Sequence, residues 1–430
     1  MSLKLSKSLV KQGLALSVTA LMMTAANAAS SDKAEIQQLR EEVAQLKSLI
    51  QQQQQVQQRQ QVQLQEVQTQ AAAPAPAQAP TLSGLLSKSG ASVNIYGFVR
   101  ADAEYAFKGA DGIFNAPNKV DLNGVPTGAN NVVNPNKDRF YATAKTTRLG
   151  LDFKTPVQGA DVGGKIEVDF AGTNDGLRIR HAYLTYNNWL FGQTTSSFLS
   201  TDTQPEMIDF GSPLGVGTKR TPMVRYADKI NANTAYAVGL EQGRSDNRFP
   251  SATGKISYNL PDGLGLVNAR ALLQETRGRL AEAGKEYDDK TELGWGVGLG
   301  TKIKLLKDQL ILNADYSHVK GDDFYLLFSE NAASLNAAKN DYDLNEFDAV
   351  TVGLTYKLNP KWRSTLGYGA IFYDDAKAGQ NDKIQQGWLN VLYNPVKPIT
   401  LGAEYVYGER DADIRTGRDS RLGVMAKYDF

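Results

Sequence analysis

The 430-residue chain has no cysteine and two histidines, His181 and His318. A thiol catalyst, a thiolate metal site and a disulfide are all excluded, and a multi-histidine metal centre nearly so. A Ser-His catalytic pair has little to build on, so neither an enzyme nor a bound metal or cofactor is expected. Net charge is missing too: 47 Lys and Arg stand against 46 Asp and Glu. That balance gives no reason to expect a nucleic-acid partner, and any electrostatic role must come from where the charges sit. Long apolar runs are also absent. The best candidate, Leu14 to Met23, is shorter than the roughly 20 residues that a membrane-crossing helix needs.

That short run instead reads as the core of a secretion signal. Lys4, Lys7 and Lys11 precede it, and Ala26-Asn27-Ala28 follows as a small-x-small cleavage site. Residues 1–28 are therefore expected to be removed. The mature chain would carry 44 basic and 46 acidic residues, net −2.

Residues 33–70 contain no Gly or Pro and are rich in Gln, Glu, Leu and Val. Ile36, Val43, Ile50 and Leu64 fall at a positions of one heptad register, with Leu39, Leu46 and Val67 at d. Gln53, Gln57 and Gln60 sit between them. The spacing predicts a coiled coil within residues 29–70 that self-associates, with a glutamine centre that fixes register at some cost in stability. A disordered Gln-rich spacer is the competing reading. Residues 71–92 open with AAAPAPAQAP, which cannot continue a helix and reads as an extended tether.

From Val93 the hydrophobic period changes to two. Val93, Ile95, Val99, Ala101, Tyr105 and Phe107 share one face, with Asn94, Arg100, Asp102 and Glu104 on the other. At the far end Leu422, Val424, Ala426, Tyr428 and Phe430 alternate with Arg421, Gly423, Met425, Lys427 and Asp429. Sixteen strand-like segments span residues 93–430, starting near 93, 139, 162, 177, 188, 223, 234, 253, 264, 291, 309, 347, 361, 384, 398 and 419. An even number of alternating strands predicts an all-β, antiparallel, closed transmembrane barrel, because closure leaves no unpaired strand edge in lipid. Turns at 260–263, 359–361 and 394–398 are short; loops near 108–138, 197–222, 275–290 and 319–346 are long. In outer-membrane barrels short turns face the periplasm and long loops face outside, which would put the coiled coil in the periplasm. Tyr316, Tyr356, Trp362, Tyr393, Tyr428 and Phe430 are expected near strand ends, as an aromatic girdle.

Alternation also assigns an inward face. Arg100, Arg148, Lys165, Arg270 and Arg363 are opposed by clear apolar outward neighbours, and Arg178, Arg180 and Arg225 are assigned inward on weaker alternation. A wall of arginines lowers the barrier to anions and offers planar forks to carboxylates. The competing arrangement is a lattice in which these arginines pair with Asp102, Glu104, Glu167 and Asp169. Residues 197–222 carry Asp202, Glu206 and Asp209, then Lys219 and Arg220. They form either a surface loop or one that enters the barrel. Asp322 and Asp323 lack the ligand spacing of a calcium loop.

The segment after the fifth strand, with Pro205-Glu206, resembles the third loop of the general trimeric porins. The resemblance implies an inward constriction with Asp202, Glu206 and Asp209 facing Arg148, Arg178 and Arg180. The whole order of signal, Gln-rich coiled coil, Ala-Pro tether, Asn94-Ile95-Tyr96-Gly97-Phe98 and terminal Phe430 is similar to DcaP-type porins. This likeness implies a homotrimeric outer-membrane channel for dicarboxylic acids and other small anions. In such barrels the terminal strand ending at Phe430 is read by the barrel assembly machinery. Two other readings stay open: a sugar porin, which would have eighteen strands and an aromatic track, and a structural barrel whose arm contacts the cell wall or a periplasmic partner.

Overall fold

The computed structural model describes residues 91–127, 131–280, 288–330, 332–336, 341–374, 376–377, 379–413 and 415–430. The expected signal, the coiled coil and nearly all of the tether lie outside the described residues.

The first strand, β1, is Ser92–Lys108. It pairs with two consecutive segments, Arg139–Thr143 and Arg148–Val157, which together are a single interrupted strand, β2. At the interruption, threonine side chains bond to β1: Thr146 Oγ1 donates to Asp102 at 2.8 Å, and Thr147 Oγ1 accepts from the Arg100 amide at 3.1 Å. The chain then meanders through β3 (Ala160–Asp169), β4 (Arg178–Tyr186), β5 (Trp189–Thr195), β6 (Arg220–Lys229), β7 (Thr234–Glu241) and β8 (Ser251–Leu260). It continues through β9 (Gly265–Leu280), β10 (Asp288–Leu305), β11 (Leu310–Lys320) and β12 (Glu346–Asn359). It ends with β13 (Trp362–Asp374), β14 (Asn381–Tyr393), β15 (Ile399–Ala412) and β16 (Arg415–Asp429). Each strand pairs antiparallel with its neighbours, and β16 closes on β1 from Phe98↔Asp429 onward. The result is a closed sixteen-stranded barrel, not the eighteen strands of the sugar-porin reading.

Closure follows from the alternation. Val99, Leu149, Ile166, Leu299, Leu366 and Val424 all point outward and are exposed. Their alternate neighbours Asp102, Glu104, Glu167, Arg270 and Arg421 are buried inside. Such a band of exposed apolar side chains is stable in a bilayer, where no backbone edge is left unpaired. Phe430 fastens the seam: its amide donates to Gly97 O at 3.1 Å, and the Gly97 amide donates to Phe430 O at 3.2 Å. Trp362 stacks on Tyr393 at 4.4 Å beside a short turn, as expected of a girdle. Tyr316 departs from that expectation. It lies past the middle of β11, where its hydroxyl donates to Asp348 at 2.6 Å.

One long-loop expectation needs correction. Residues 275–280 and 288–290 are strand, because β9 and β10 stay paired out to Leu280↔Asp288. Lys, Arg, Asp and Glu in this stretch obscure the alternation, and cross-strand pairing carries the hairpin on regardless. Two other long connections turn inward. Phe198, Leu199 and Leu214 from 196–219 pack with Tyr325 and Leu326 from 321–345 against Leu272, Phe347, Ile371 and Ile384 of the wall. Each such side chain contributes about 1.5–3 kcal/mol on burial. The barrel therefore has an apolar core of its own where these connections meet the wall.

Candidate functional site: the lumen beside the inward loop

The connection 196–219 crosses the inside of the barrel and is tied to the wall along its length. Thr203 Oγ1 donates to Asp315 at 2.6 Å, and Thr351 Oγ1 donates to the Leu214 carbonyl. Glu404 of β15 accepts the amides of Ile208 and Asp209 at 2.8 and 2.7 Å. Trp388 and Asn390 of β14 donate to the Glu206 carbonyl at 3.0 and 3.1 Å. The wall makes room by omitting side chains. A Cβ on Gly353 would lie 2.2 Å from Pro205 Cβ, and one on Gly369 would lie 2.2 Å from Leu214 O. Both are contacts that a substituted residue could not make without moving the loop.

Beside this loop is a cavity of about 650 Å³. Of the wall cations assigned from sequence, Arg100, Arg148, Arg178, Arg180 and Arg363 line it. Arg178 and Arg180 project from β4. Arg178 makes a fork on Asp169 at 2.9 and 2.7 Å; Arg180 reaches Glu167 and Asp169, both at 2.8 Å. Arg148 Nε stands 3.4 Å from Glu167, with its guanidinium over the Phe98 ring. Arg100 pairs with Asp102 and donates to the Ile208 carbonyl of the loop.

The remaining cations lie elsewhere. Arg270 is sealed under the loop, 5% exposed, in a two-point pair with Asp315 at 2.8 and 2.6 Å. Lys165 pairs with Asp152 at 3.2 Å beside Tyr96, and Arg225 bonds the Thr195 carbonyl at 3.4 Å; neither lines the cavity. Alternation identifies the inward face but not which inward residues a loop will cover.

The three loop acids also separate. Glu206 lines the cavity and makes a two-point pair with Arg363 at 2.7 and 2.8 Å. Asp209 lines it too, but accepts the amides of Asn115 and Gly211 at 3.0 and 2.7 Å and is 8% exposed. Burial pushes its carboxyl above the usual carboxylate range, against those amides and Arg421. Asp202 is exposed and does not line the cavity; its carbonyl accepts from Asn313. Glu206 therefore pairs with Arg363 of the wall and not with Arg148, Arg178 or Arg180, and the other two acids have different surroundings.

Sequence reasoning left Lys219 and Arg220 out of the basic wall, yet both line the cavity, together with Lys427, which alternation in the last strand places inward. So do Phe324 to Leu327, from the second inward connection. Lys219 Nζ lies 3.5 Å from the Phe324 ring centroid, and burial lowers its pKa below the usual lysine value. The Lys219-Arg220 dipeptide at the end of an acidic loop was the available signal. The chain as a line of residues gave no sign that 321–345 returns beside it.

A family model described as DcaP outer membrane protein matches residues 19–430. Among solved structures, the outer membrane channel DcaP of Acinetobacter baumannii is 48% identical, with a TM-score of 0.73; the match covers 81% of this chain and all of that one. An anion-selective porin from Comamonas acidovorans is 14% identical, TM-score 0.53, covering 79% of this chain and 100% of its own. OmpT of Vibrio cholerae, in a trimer form, is 15% identical, TM-score 0.52, covering 79% and 99%. The last two likenesses establish the fold alone. No curated protein matches the sequence. With a channel-shaped barrel, an inward loop and a family match over nearly its whole length, this chain belongs to the DcaP family of outer membrane channels.

Proposed function

We propose that the channel passes small organic anions by passive diffusion, with dicarboxylates the preferred class. The observation that carries this is the cavity lining: Arg100, Arg148, Arg178, Arg180, Arg363 and Lys427 line it in ion pairs, and Lys219 and Arg220 line it with no carboxylate within 4.0 Å among the described residues. In a confined, partly dehydrated space this excess of positive charge lowers the energy of an anion and raises that of a cation. Weak attraction suits transport, since tight binding would slow exit. In this reading Arg148, Arg178 and Arg180 form one side of a field across the pore, and Glu206 marks the other.

The assembled form would be a homotrimer in the outer membrane, with the long loops outside and the Gln-rich arm on the periplasmic side. The C-terminal strand ending at Phe430 would be the segment handed to the barrel assembly machinery. Swelling of protein-loaded liposomes tests the solute class. Succinate should enter several-fold faster than a neutral sugar of similar size, and a diammonium ion slower than either. Equal rates for all three would reject the anion reading.

A further inference from the structure

The cations around the cavity are not equivalent. Arg100 is taken by Asp102, Arg363 by Glu206 and Lys427 by Asp429. Arg178 and Arg180 share Asp169, and Arg148 and Arg180 share Glu167. Lys219 and Arg220 have no carboxylate oxygen within 4.0 Å among the described residues. The acids on the neighbouring connection are engaged elsewhere: Asp322 accepts the amides of Phe324 and Tyr325, and Asp323 pairs with Arg244.

Arg220 opens β6 opposite Thr195. It faces the same stretch of lumen as Arg148, Arg178 and Arg180. Four cations meet there with two carboxylates, Glu167 and Asp169. Both acids are already engaged, and Glu167 also accepts the Tyr96 hydroxyl at 2.8 Å. The shortage shows in a second place: the Arg148 Nε is buried without a hydrogen-bond partner. A partly desolvated guanidinium among like charges is costly to hold, and a protein that keeps one at a passageway has left a place for an anion.

We propose that Lys219 and Arg220 form the anion-selecting contact of the channel, a seat for one carboxylate of the passing solute. This rests on the anion-channel reading above. The guanidinium fork matches a carboxylate plane, and the lysine beside it adds a point charge. The ion-paired arginines are then a partly neutralised wall, which contributes the weaker background field and positions the solute.

The test uses the full-length channel in planar bilayers, with succinate as the blocking anion and the reversal potential read in a KCl gradient. Arg220→Gln and Lys219→Gln should each weaken succinate block, Arg220→Gln by roughly tenfold, the loss of one charge-assisted contact. Both should move the reversal potential toward cations. Arg220→Lys should keep the reversal potential while losing part of the block. Lys397→Gln, in an exposed turn, is the control, and heat-modifiable gel migration reports that each barrel has folded. Suppose the parent channel prefers anions, yet both glutamine variants, folded, keep its block and potential. The seat is then overturned and the anion channel stands. A parent channel without anion preference overturns both.

Discussion

At the scale of single residues, pairing decides which charges act. Glu206 neutralises Arg363 through two hydrogen bonds, and its side chain is 36% exposed to the lumen. Glu206→Gln should therefore release a positive charge and raise the anion-to-cation permeability ratio, whereas Arg363→Gln should lower it. Reversal potentials of the two variants check both signs. Lys219 predicts a pH dependence for the channel. Burial lowers its pKa below the usual 10.5, so as pH rises it loses its proton before an ordinary lysine would. Anion preference should decline on the alkaline side, starting below that value, and Lys219→Arg should remove the decline. Arg270 has a structural role. It is buried and held by Asp315, and removing it would strand that carboxylate at a cost of about 3–5 kcal/mol.

At the scale of elements, the inward loop narrows the lumen and the strands are its frame. Two of its amides depend on Glu404. Glu404→Ala would leave both without that acceptor, at about 1–3 kcal/mol for each buried group. Single-channel conductance should rise as the loop loosens. Gly353→Val should do the same by collision with Pro205. Unchanged conductance in both variants would mean that the loop does not limit flow. The strands were legible in the sequence because their period of two is local: β1 begins at Ser92 and β16 ends at Asp429, where alternation starts and stops. The loop's path was not legible, because many of its anchors, such as Asp315, Thr351, Trp388 and Glu404 on β11 to β15, lie more than a hundred residues away. A trace of it was present in inward glycines such as Gly353 and Gly369, which have no meaning until the loop is seen against them.

At the scale of the whole molecule, closure by β1 on β16 makes the barrel a complete channel by itself. Deleting residues 29–80 while keeping the export signal should leave conductance and ion preference intact. The stability of the oligomer to heat and detergent is what that deletion should lower, if the arm clamps subunits. The site was half legible at this scale. Arg148, Arg178 and Arg180 follow from alternation, whereas Lys219 and Phe324 meet only because two separate connections fold into one lumen. The central claim is that this lumen favours anions, and the reversal potential of the purified channel in a planar bilayer under a KCl gradient tests it most directly. A potential displaced toward the chloride equilibrium value, and brought back toward zero by Arg220→Gln, is the predicted result. A potential displaced toward potassium would contradict it.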